Sequence, residues 1–198
     1  MARILVTGGA GYIGSHTAVE LMQQGYDVTI VDNLSNSNVD VLDGITAIVG
    51  RRPEFANIDC NDFVNLDSVF RQYPDIVGVI HFAASKAVGE SVQKPLLYYR
   101  NNIGSLITLL EVMKRHQVQN IVFSSSCTVY GQPDKAHLPV DETAPIQKAL
   151  SPYGNTKQIN EDIIRDEAHA DTNLHATILR YFNPIGAHPS ALIGELPN

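Results

Sequence analysis

The sequence has few cysteines and no residues set at the spacing of a metal site. Its 198 residues include two cysteines, Cys60 and Cys127, whose separation matches neither a disulfide framework nor a paired zinc-ligand spacing. None of the seven histidines stands beside another ligand at a tight metal spacing. We therefore interpret the cysteines as free thiols in a reducing compartment and predict no metal site.

Positive charge is also scarce. The chain has 14 Lys and Arg against 21 Asp and Glu, a formal charge of −7, and its only local basic run is Arg51-Arg52. Because nucleic acids are bound through clustered cations, we expect no nucleic-acid partner. The sequence lacks a run of about 20 apolar residues, which a membrane span requires. The amino-terminal apolar run is too short for a signal peptide, so we expect a cytoplasmic protein with no membrane partner.

Short β-branched runs alternate with amphipathic segments along the chain. Strands are predicted at residues 3–6, 27–31, 54–58, 76–82, 120–125 and 174–182. Helices are predicted at about residues 13–24, 39–48, 61–73 and 95–116, and from about residue 152 onward. This alternation predicts βαβ units, and therefore an α/β fold with a doubly wound parallel sheet and helices on both faces.

The segment TGGAGYIGSH places Gly8, Gly11 and Gly14 between the first strand and the first helix. In a dinucleotide-binding loop, such glycines permit a tight turn, a close approach to a pyrophosphate and close helix packing. A glycine triplet also occurs in ordinary turns, so its context matters. Asp32 ends the second strand, about 20 residues further on, where a carboxylate accepts from a ribose 2′-hydroxyl and repels a 2′-phosphate. Together these features predict NAD rather than NADP.

Hydroxyl-bearing residues follow the fifth strand and start the last helix. FSSSCTVYG places serines at the carboxyl edge of the sheet, where open α/β folds bind ligands, although a serine run is also typical of a turn. In SPYGNTK, Ser151 as N-cap and Pro152 at the first helical position set Tyr153 and Lys157 one turn apart on one helix face. We expect the Lys157 ammonium to lower the pKa of the Tyr153 phenol. With Ser126 bonding the substrate oxygen, the pattern predicts dehydrogenation of an alcohol.

Six segments together resemble the extended short-chain dehydrogenase/reductase family: TGGAGYIGSH, VDNLSNS, HFAASKAVGESVQKPLLYY, FSSSCTVYG, SPYGNTK and LRYFNPIGAHPS. The resemblance covers the whole chain and is greatest to members that epimerise a UDP-hexose. It implies a Rossmann-type NAD-binding domain at residues 1–183 and the start of a substrate-binding segment at residues 184–198. Family members are longer, which implies a truncated chain with little activity alone.

The resemblance also implies roles for individual residues. Tyr153 is the implied base, Lys157 its electrostatic and ribose-binding partner, and Ser126 the residue that bonds the substrate. The implied cofactor contacts are Gly8, Gly11, Tyr12, Ile13, Gly14, Asp32, Asn33, Ser35, Asn36, Ser37, Asp59, Cys60, Phe82, Ala83, Ala84, Lys86, Asn101, Tyr153, Lys157 and Phe182. The implied substrate contacts are Lys86, Ser126, Tyr153, Tyr181 and Asn183.

The implied activity is the interconversion of UDP-glucose and UDP-galactose by reversible NAD-dependent oxidation and reduction at C4, in galactose metabolism. Sugar-nucleotide dehydratases of the family carry an Asp-Glu pair that would align with Cys127 and Thr128, so dehydration is disfavoured. Two alternatives stay open, namely epimerisation of N-acetylated UDP-hexoses and a non-catalytic NAD-binding module. The resemblance implies a homodimer formed by the helix at about residues 95–116 and the helix of Tyr153.

Overall fold

The computed structural model describes residues 2–195, which form a six-stranded, all-parallel sheet. The strands are β1 (Arg3–Thr7), β2 (Asp27–Val31), β3 (Glu54–Ala56), β4 (Ile76–His81), β5 (Asn120–Ser126) and β6 (His175–Tyr181). Their spatial order is β3-β2-β1-β4-β5-β6. The direction of winding reverses between β1 and β4, and in open sheets ligands bind in the crevice outside the carboxyl ends of the strands at such a point.

In the part of the chain that the structure describes, six α-helices connect the strands. They are α1 (Tyr12–Gln23), α2 (Val41–Val49), α3 (Phe63–Gln72), α4 (Val88–Gln93), α5 (Pro95–Arg115) and α6 (Pro152–Ala170). Single turns of 3-10 helix occupy Cys127–Tyr130 and Lys135–His137. The predicted α/β fold with a doubly wound, Rossmann-type parallel sheet is confirmed.

The sheet separates two hydrophobic cores, one on each face. Neighbouring residues of β1 point to opposite faces, as the pleat requires. Leu5 packs with Phe70 of α3 and with residues of α5 and α6. Val6 packs with Val19 of α1 and Ile45 of α2. Because helices cover both faces, the central strands are apolar along most of their length.

Helix α4 is the element that the sequence prediction missed. The segment VGESVQ is one and a half turns long, which is too short for an apolar period to be recognised. The amide of Lys94 donates to the carbonyl of Glu90 and ends α4. Pro95 then begins α5 as a separate helix, because proline is favoured in the first turn and not in a helix interior.

The chain after β6 crosses back to α2. A β-bridge joins Ala187 to Gly194, and Ile193 is buried among side chains of α1, α2 and β2. Residues 196–198 of the predicted substrate-binding segment lie outside the described residues. Within residues 2–195, the structure contains no helix with the length and apolar character needed to span a membrane.

Candidate functional site

The glycine loop between β1 and α1 is packed so closely that side chains are excluded. Gly8 has φ +67°, and its amide donates to the carbonyl of Val31 at 2.8 Å. A Cβ at Gly8 would lie 2.7 Å from the amide nitrogen of Ala83. A Cβ at Gly14 would collide with the carbonyl oxygen of Gly8 and lie 2.7 Å from the Cα of Gly9. Each contact is with backbone, so only glycine fits without moving the loop.

The loop leads directly into the N-terminus of α1. Gly11 is the N-cap, and Tyr12 and Ile13 begin the first turn. Within the described residues, no side chain caps this helix, and its first turn contains no acid. First-turn amides lack intrahelical acceptors and carry the positive end of the helix dipole. Together with the glycine cradle, this arrangement fits the pyrophosphate of a dinucleotide.

Asp32 lies at the carboxyl end of β2 and is held by three hydrogen bonds. Its Oδ2 accepts from the amide of Ala10 at 3.1 Å. Its Oδ1 accepts from the amide of Leu34 and the hydroxyl of Ser37, both at 2.9 Å. An ionised carboxylate has about four acceptor positions, so at least one remains for a ribose hydroxyl. Asp32 therefore links the glycine loop to the polar loop that contains Ser35 and Asn36.

A second polar cluster lies beside this loop. Asn33 donates to Asp59 at 3.2 Å, and the amide and side chain of Asn61 donate to the same carboxylate, each at 2.8 Å. Burial raises the pKa of Asp59, but these hydrogen bonds outweigh it and leave the pKa below its usual value. Cys60 is buried, and burial raises the pKa of its thiol to about 12. Cys60 is thus a core residue with an unreactive thiol, and only its backbone is suited to contact a cofactor.

The loop after β4 carries the predicted contacts Phe82, Ala83, Ala84 and Lys86. The amide of Phe82 donates to the carbonyl of Thr7 at 3.0 Å, which places this loop against the glycine loop. Lys86 is exposed, and its ammonium lies 3.5 Å from the carboxylate of Glu195.

Two neighbouring asparagines of α5 hold this loop in place. The side-chain amide of Asn101 donates to the Ser85 hydroxyl at 3.1 Å. Asn102 accepts from the Ser85 amide at 2.8 Å and donates to the Ser85 carbonyl at 3.0 Å. Asn102 also donates to Thr156 of α6 at 3.1 Å. The loop and α6 are therefore connected through one buried amide.

Tyr153 and Ser126 meet at the carboxyl end of β5. Ser151 caps α6 by accepting from the amide of Gly154 at 3.1 Å, and Pro152 occupies the first turn, as predicted. This start directs Tyr153 toward β5, where its phenol lies beside the Ser126 hydroxyl. Ser126 is buried, and its oxygen also accepts from the amide of Thr128 at 3.2 Å.

Lys157 lies in the interior beside Tyr153. Its Nζ donates to the carbonyl of Ser124 at 2.6 Å and sits 5.8 Å from the centre of the Tyr153 ring. Burial lowers the pKa of Lys157 to about 8, although the charge of Glu161 acts in the opposite direction. Burial also raises the pKa of Tyr153, and the hydrogen bond from Ser126 only partly offsets it. We expected Lys157 to lower the pKa of Tyr153, and this expectation is wrong. The pKa of Tyr153 is raised, because desolvation is the largest effect on it.

The residues after β6 approach the same edge of the sheet. The Tyr181 ring lies 6.2 Å from the Phe82 ring, centre to centre, and burial raises the pKa of its phenol. Phe182 and Asn183 are exposed. The hydroxyl of Tyr12 donates to the carbonyl of Gly186 at 2.7 Å, so this segment contacts the start of α1.

Sequence reasoning missed three residues that organise the site. They are Asn102 of α5, Ser124 of β5 and Glu161 of α6. The carbonyl of Ser124 accepts the hydrogen bond from Lys157. Glu161 stands four residues after Lys157 and four before Arg165, a spacing that places all three on one helix face. This spacing can be recognised in the sequence, but the burial of that helix face cannot. Groups of three or more metal-ligating side chains were not found within residues 2–195.

Comparisons with known proteins agree with this geometry. A sequence model of the family described as NAD dependent epimerase/dehydratase matches residues 4–196. The UDP-glucose 4-epimerase uge1 of Schizosaccharomyces pombe is 53% identical over 196 residues, which are 98% of this chain and 55% of that protein.

Two crystal structures of UDP-glucose 4-epimerases match with a TM-score of 0.95. The Stenotrophomonas maltophila enzyme, with bound NAD and formylated UDP-arabinopyranose, is 49% identical, over 100% of this chain and 58% of that one. The Bifidobacterium longum enzyme, in complex with NAD+ and UDP, is 47% identical, over 98% of this chain and 57% of that one. This chain thus spans little more than half the length of these relatives. It belongs to the NAD dependent epimerase/dehydratase family, and the resemblance to the extended short-chain dehydrogenases is confirmed.

Proposed function

We propose that this chain is the NAD-binding part of a UDP-glucose 4-epimerase, which interconverts UDP-glucose and UDP-galactose in galactose metabolism. The observation that carries the proposal is the meeting of Ser126, Tyr153 and Lys157 at the sheet edge that also holds the glycine loop. The similarity to UDP-glucose 4-epimerases supports the choice of reaction. We assign residues 1–183 to the NAD-binding domain and residues 184–198 to the start of the substrate-binding segment.

The cofactor is held, in this proposal, by the glycine loop, Asp32 and the loops after β3 and β4. The uncapped amides of α1 would hold the pyrophosphate, and the Asp32 carboxylate would accept from the adenosine ribose. The described hydrogen bonds of Asp32 orient its carboxylate before any ligand binds. Lys157 and Asn101 would hold the nicotinamide end. When bound, NAD supplies the hydride acceptor and a positive ring that favours the phenolate of Tyr153.

Tyr153 moves the proton in this mechanism. As the phenolate, its oxygen takes the proton of the C4 hydroxyl during oxidation, and the resulting phenol returns that proton during reduction. Ser126 lies beside that phenol, and in this proposal its hydroxyl bonds the same sugar oxygen. Lys157, with a pKa of about 8, is mostly protonated at pH 7 and stabilises negative charge on Tyr153. Burial of this group keeps the field of its ammonium poorly screened by water.

The sugar nucleotide is proposed to contact Lys86, Ser126, Tyr153, Tyr181 and Asn183. Lys86 is exposed on the loop after β4, and Tyr181 and Asn183 lie at the carboxyl end of β6. Because β4 and β6 flank β5 in the sheet, these residues follow the strands on either side of Ser126. An anionic UDP group fits the exposed ammonium of Lys86, which in this structure is paired with Glu195.

We further propose a cytoplasmic homodimer formed by α5 and α6. These two helices pack against each other, and α5 exposes Leu96, Leu97 and Ile107. Exposed apolar side chains on packed helices favour a helical interface with a second copy. Cys60 and Cys127 are free thiols, in keeping with a reducing compartment.

The cofactor is tested first, because its binding depends on residues within this chain. The purified chain is denatured, and the released nucleotide is identified by mass and absorbance; NAD is expected. Release of NADP, or a chain that binds neither nucleotide when they are added, contradicts the proposal.

The reaction is tested with UDP-galactose, and with UDP-N-acetylglucosamine in parallel. We measure the rate at which UDP-galactose is epimerised, or the rate at which this sugar reduces bound NAD. Either rate is expected to fall by about 10²-fold or more in Tyr153→Phe. Tyr26→Phe, at an exposed tyrosine, is the matched control and keeps the wild-type rate. Preference for the N-acetylated sugar indicates the alternative substrate.

A further inference from the structure

Glu161 is a buried carboxylate that lies one helical turn beyond Lys157. Its Oε1 accepts from the Ser125 hydroxyl at 2.6 Å and from Nε of Arg180 at 3.0 Å. Its Oε2 accepts from Arg180 at 2.8 Å and from Arg165 at 2.6 Å. Each oxygen thus takes two hydrogen bonds, which fills the acceptor capacity of the carboxylate. Such a group is fully satisfied, and its charge is fixed in position.

The bonds of Glu161 bind three elements together. Ser125 lies between Ser124, which accepts from Lys157, and Ser126, which bonds Tyr153. Arg180 is the partner of Ser125 in the pairing of β5 with β6. The carboxylate therefore joins the middle of the serine strand to β6 and to α6.

Glu161 bonds Ser125, the residue next to the Ser124 carbonyl that accepts from the buried Lys157 ammonium. Burial lowers the pKa of Lys157, and Glu161 is the group whose charge acts against that effect. From β4, His81 faces Lys157 as a neutral ring, because burial holds its pKa at about 3. From α6, the phenol of Tyr153 is protonated at neutral pH, because burial raises its pKa. From β6, Arg180 is a cation already paired with Glu161.

We propose that Glu161 is a positioning residue of the active site: it supplies the counter-charge of the buried Lys157 ammonium and ties the serine strand to α6. A carboxylate that only joined two strands would influence folding and leave the protonation of Lys157 unchanged. The proposed role in catalysis rests on the proposed function, since it acts through Lys157. The effect on the charge of Lys157 does not depend on any ligand.

The test follows Lys157 itself in the chain without nucleotide or sugar. Protein labelled with ¹³C-lysine is titrated, and the Cε signal of Lys157 is assigned by its loss in Lys157→Met. In Glu161→Gln, the titration midpoint of Lys157 is expected to move down by at least about one pH unit. Asp162→Asn is the matched control, because it removes a neighbouring carboxylate that is exposed and bonded to Arg165; it leaves the midpoint unchanged.

The direction of the change separates charge from packing. Loosening of the core would admit water and move the midpoint up, toward the usual range of lysine. An unchanged or raised midpoint in folded Glu161→Gln therefore overturns the proposal.

A second variant covers the case in which Arg180, left buried without its partner, prevents folding. In Glu161→Gln/Arg180→Gln both charges are removed together, and a downward shift is again expected, because the charge of Glu161 opposes the lowering of the pKa of Lys157 by burial. An unchanged or raised midpoint in the folded double variant also overturns the proposal. Failure of the wild-type chain to bind added NAD would overturn the proposed function and leave this result standing.

Discussion

The ammonium of Lys157 donates a hydrogen bond to the main-chain carbonyl of Ser124 at 2.6 Å, deep in the interior between α6 and β5. This bond spans 33 residues of sequence and connects the helix that carries Tyr153 to the strand that ends in Ser126. The hydroxyl groups of Tyr153 and Ser126, which are proposed to contact the same substrate hydroxyl, are thereby held close together. A single buried cation thus has both a positioning role and an electrostatic one.

Replacement of Lys157 by methionine is expected to separate binding from stability. Methionine fills a similar volume and removes the desolvation cost of the buried ammonium, which lowers the pKa of Lys157, so the melting temperature should not fall appreciably. A charge-assisted hydrogen bond contributes about 1.5–3 kcal/mol, so affinity for NAD should fall by about tenfold or more. Calorimetric titration with NAD measures the loss. Lys94→Met, at an exposed ion pair, is the control, and equal affinities for both variants would contradict the ribose-binding role.

The pH dependence of stability should carry the signature of Lys157. Its pKa is lowered from 10.5 to about 8 in the folded chain, so the unfolded chain binds more protons between these values. Stability therefore rises as the pH rises through this window. Between pH 7 and pH 9, the free energy of unfolding should increase by about 1 kcal/mol more in the wild-type chain than in Lys157→Met. Urea denaturation at the two pH values measures the difference, and parallel pH profiles would refute it.

Gly14→Ala should damage the nucleotide loop. A Cβ at Gly14 meets the backbone of Gly8 and Gly9, which cannot move as a flexible side chain can. Overpacking of this kind costs about 1–3 kcal/mol, and displacement of the loop should abolish NAD binding. Gly89→Ala is the matched control, because its Cβ meets nothing within 4 Å and Gly89 lies in α4. The control should be neutral or slightly stabilised in thermal denaturation, with NAD affinity unchanged.

Asp32→Asn should weaken NAD binding and relax the preference over NADP. In the wild-type chain, the Asp32 carboxylate accepts from the amides of Ala10 and Leu34 and from the hydroxyl of Ser37. Asparagine keeps only one acceptor oxygen, and its NH₂ group would face one or more of these donors. The loss of negative charge also removes repulsion of a 2′-phosphate. We expect the ratio of the two dissociation constants to shift toward NADP by at least about tenfold, measured by fluorescence titration. Asp40→Asn, at the exposed start of α2, is the control, and an unchanged ratio in Asp32→Asn would exclude the ribose contact.

The amino-acid sequence by itself determined the class of fold and the local start of each site element. The alternation of strands and helices, the glycine spacing and the Ser151-Pro152 helix start depend on residues close together in the chain. Their effects are local, so they could be predicted without coordinates. Helix α4 was missed because its six residues are too few to show a period.

The tertiary structure alone decided which charges are buried and what they face. Lys157 was predicted to lower the pKa of Tyr153, but burial of both groups has the larger effect. Glu161 was not recognised as part of the site, because its partners Ser125 and Arg180 come from two strands far away in sequence. Desolvation and long-range pairing depend on how the elements pack against each other. Spacing along one helix therefore predicted that Tyr153 and Lys157 are neighbours, and only their burial between α6 and β5 determined how each holds its proton.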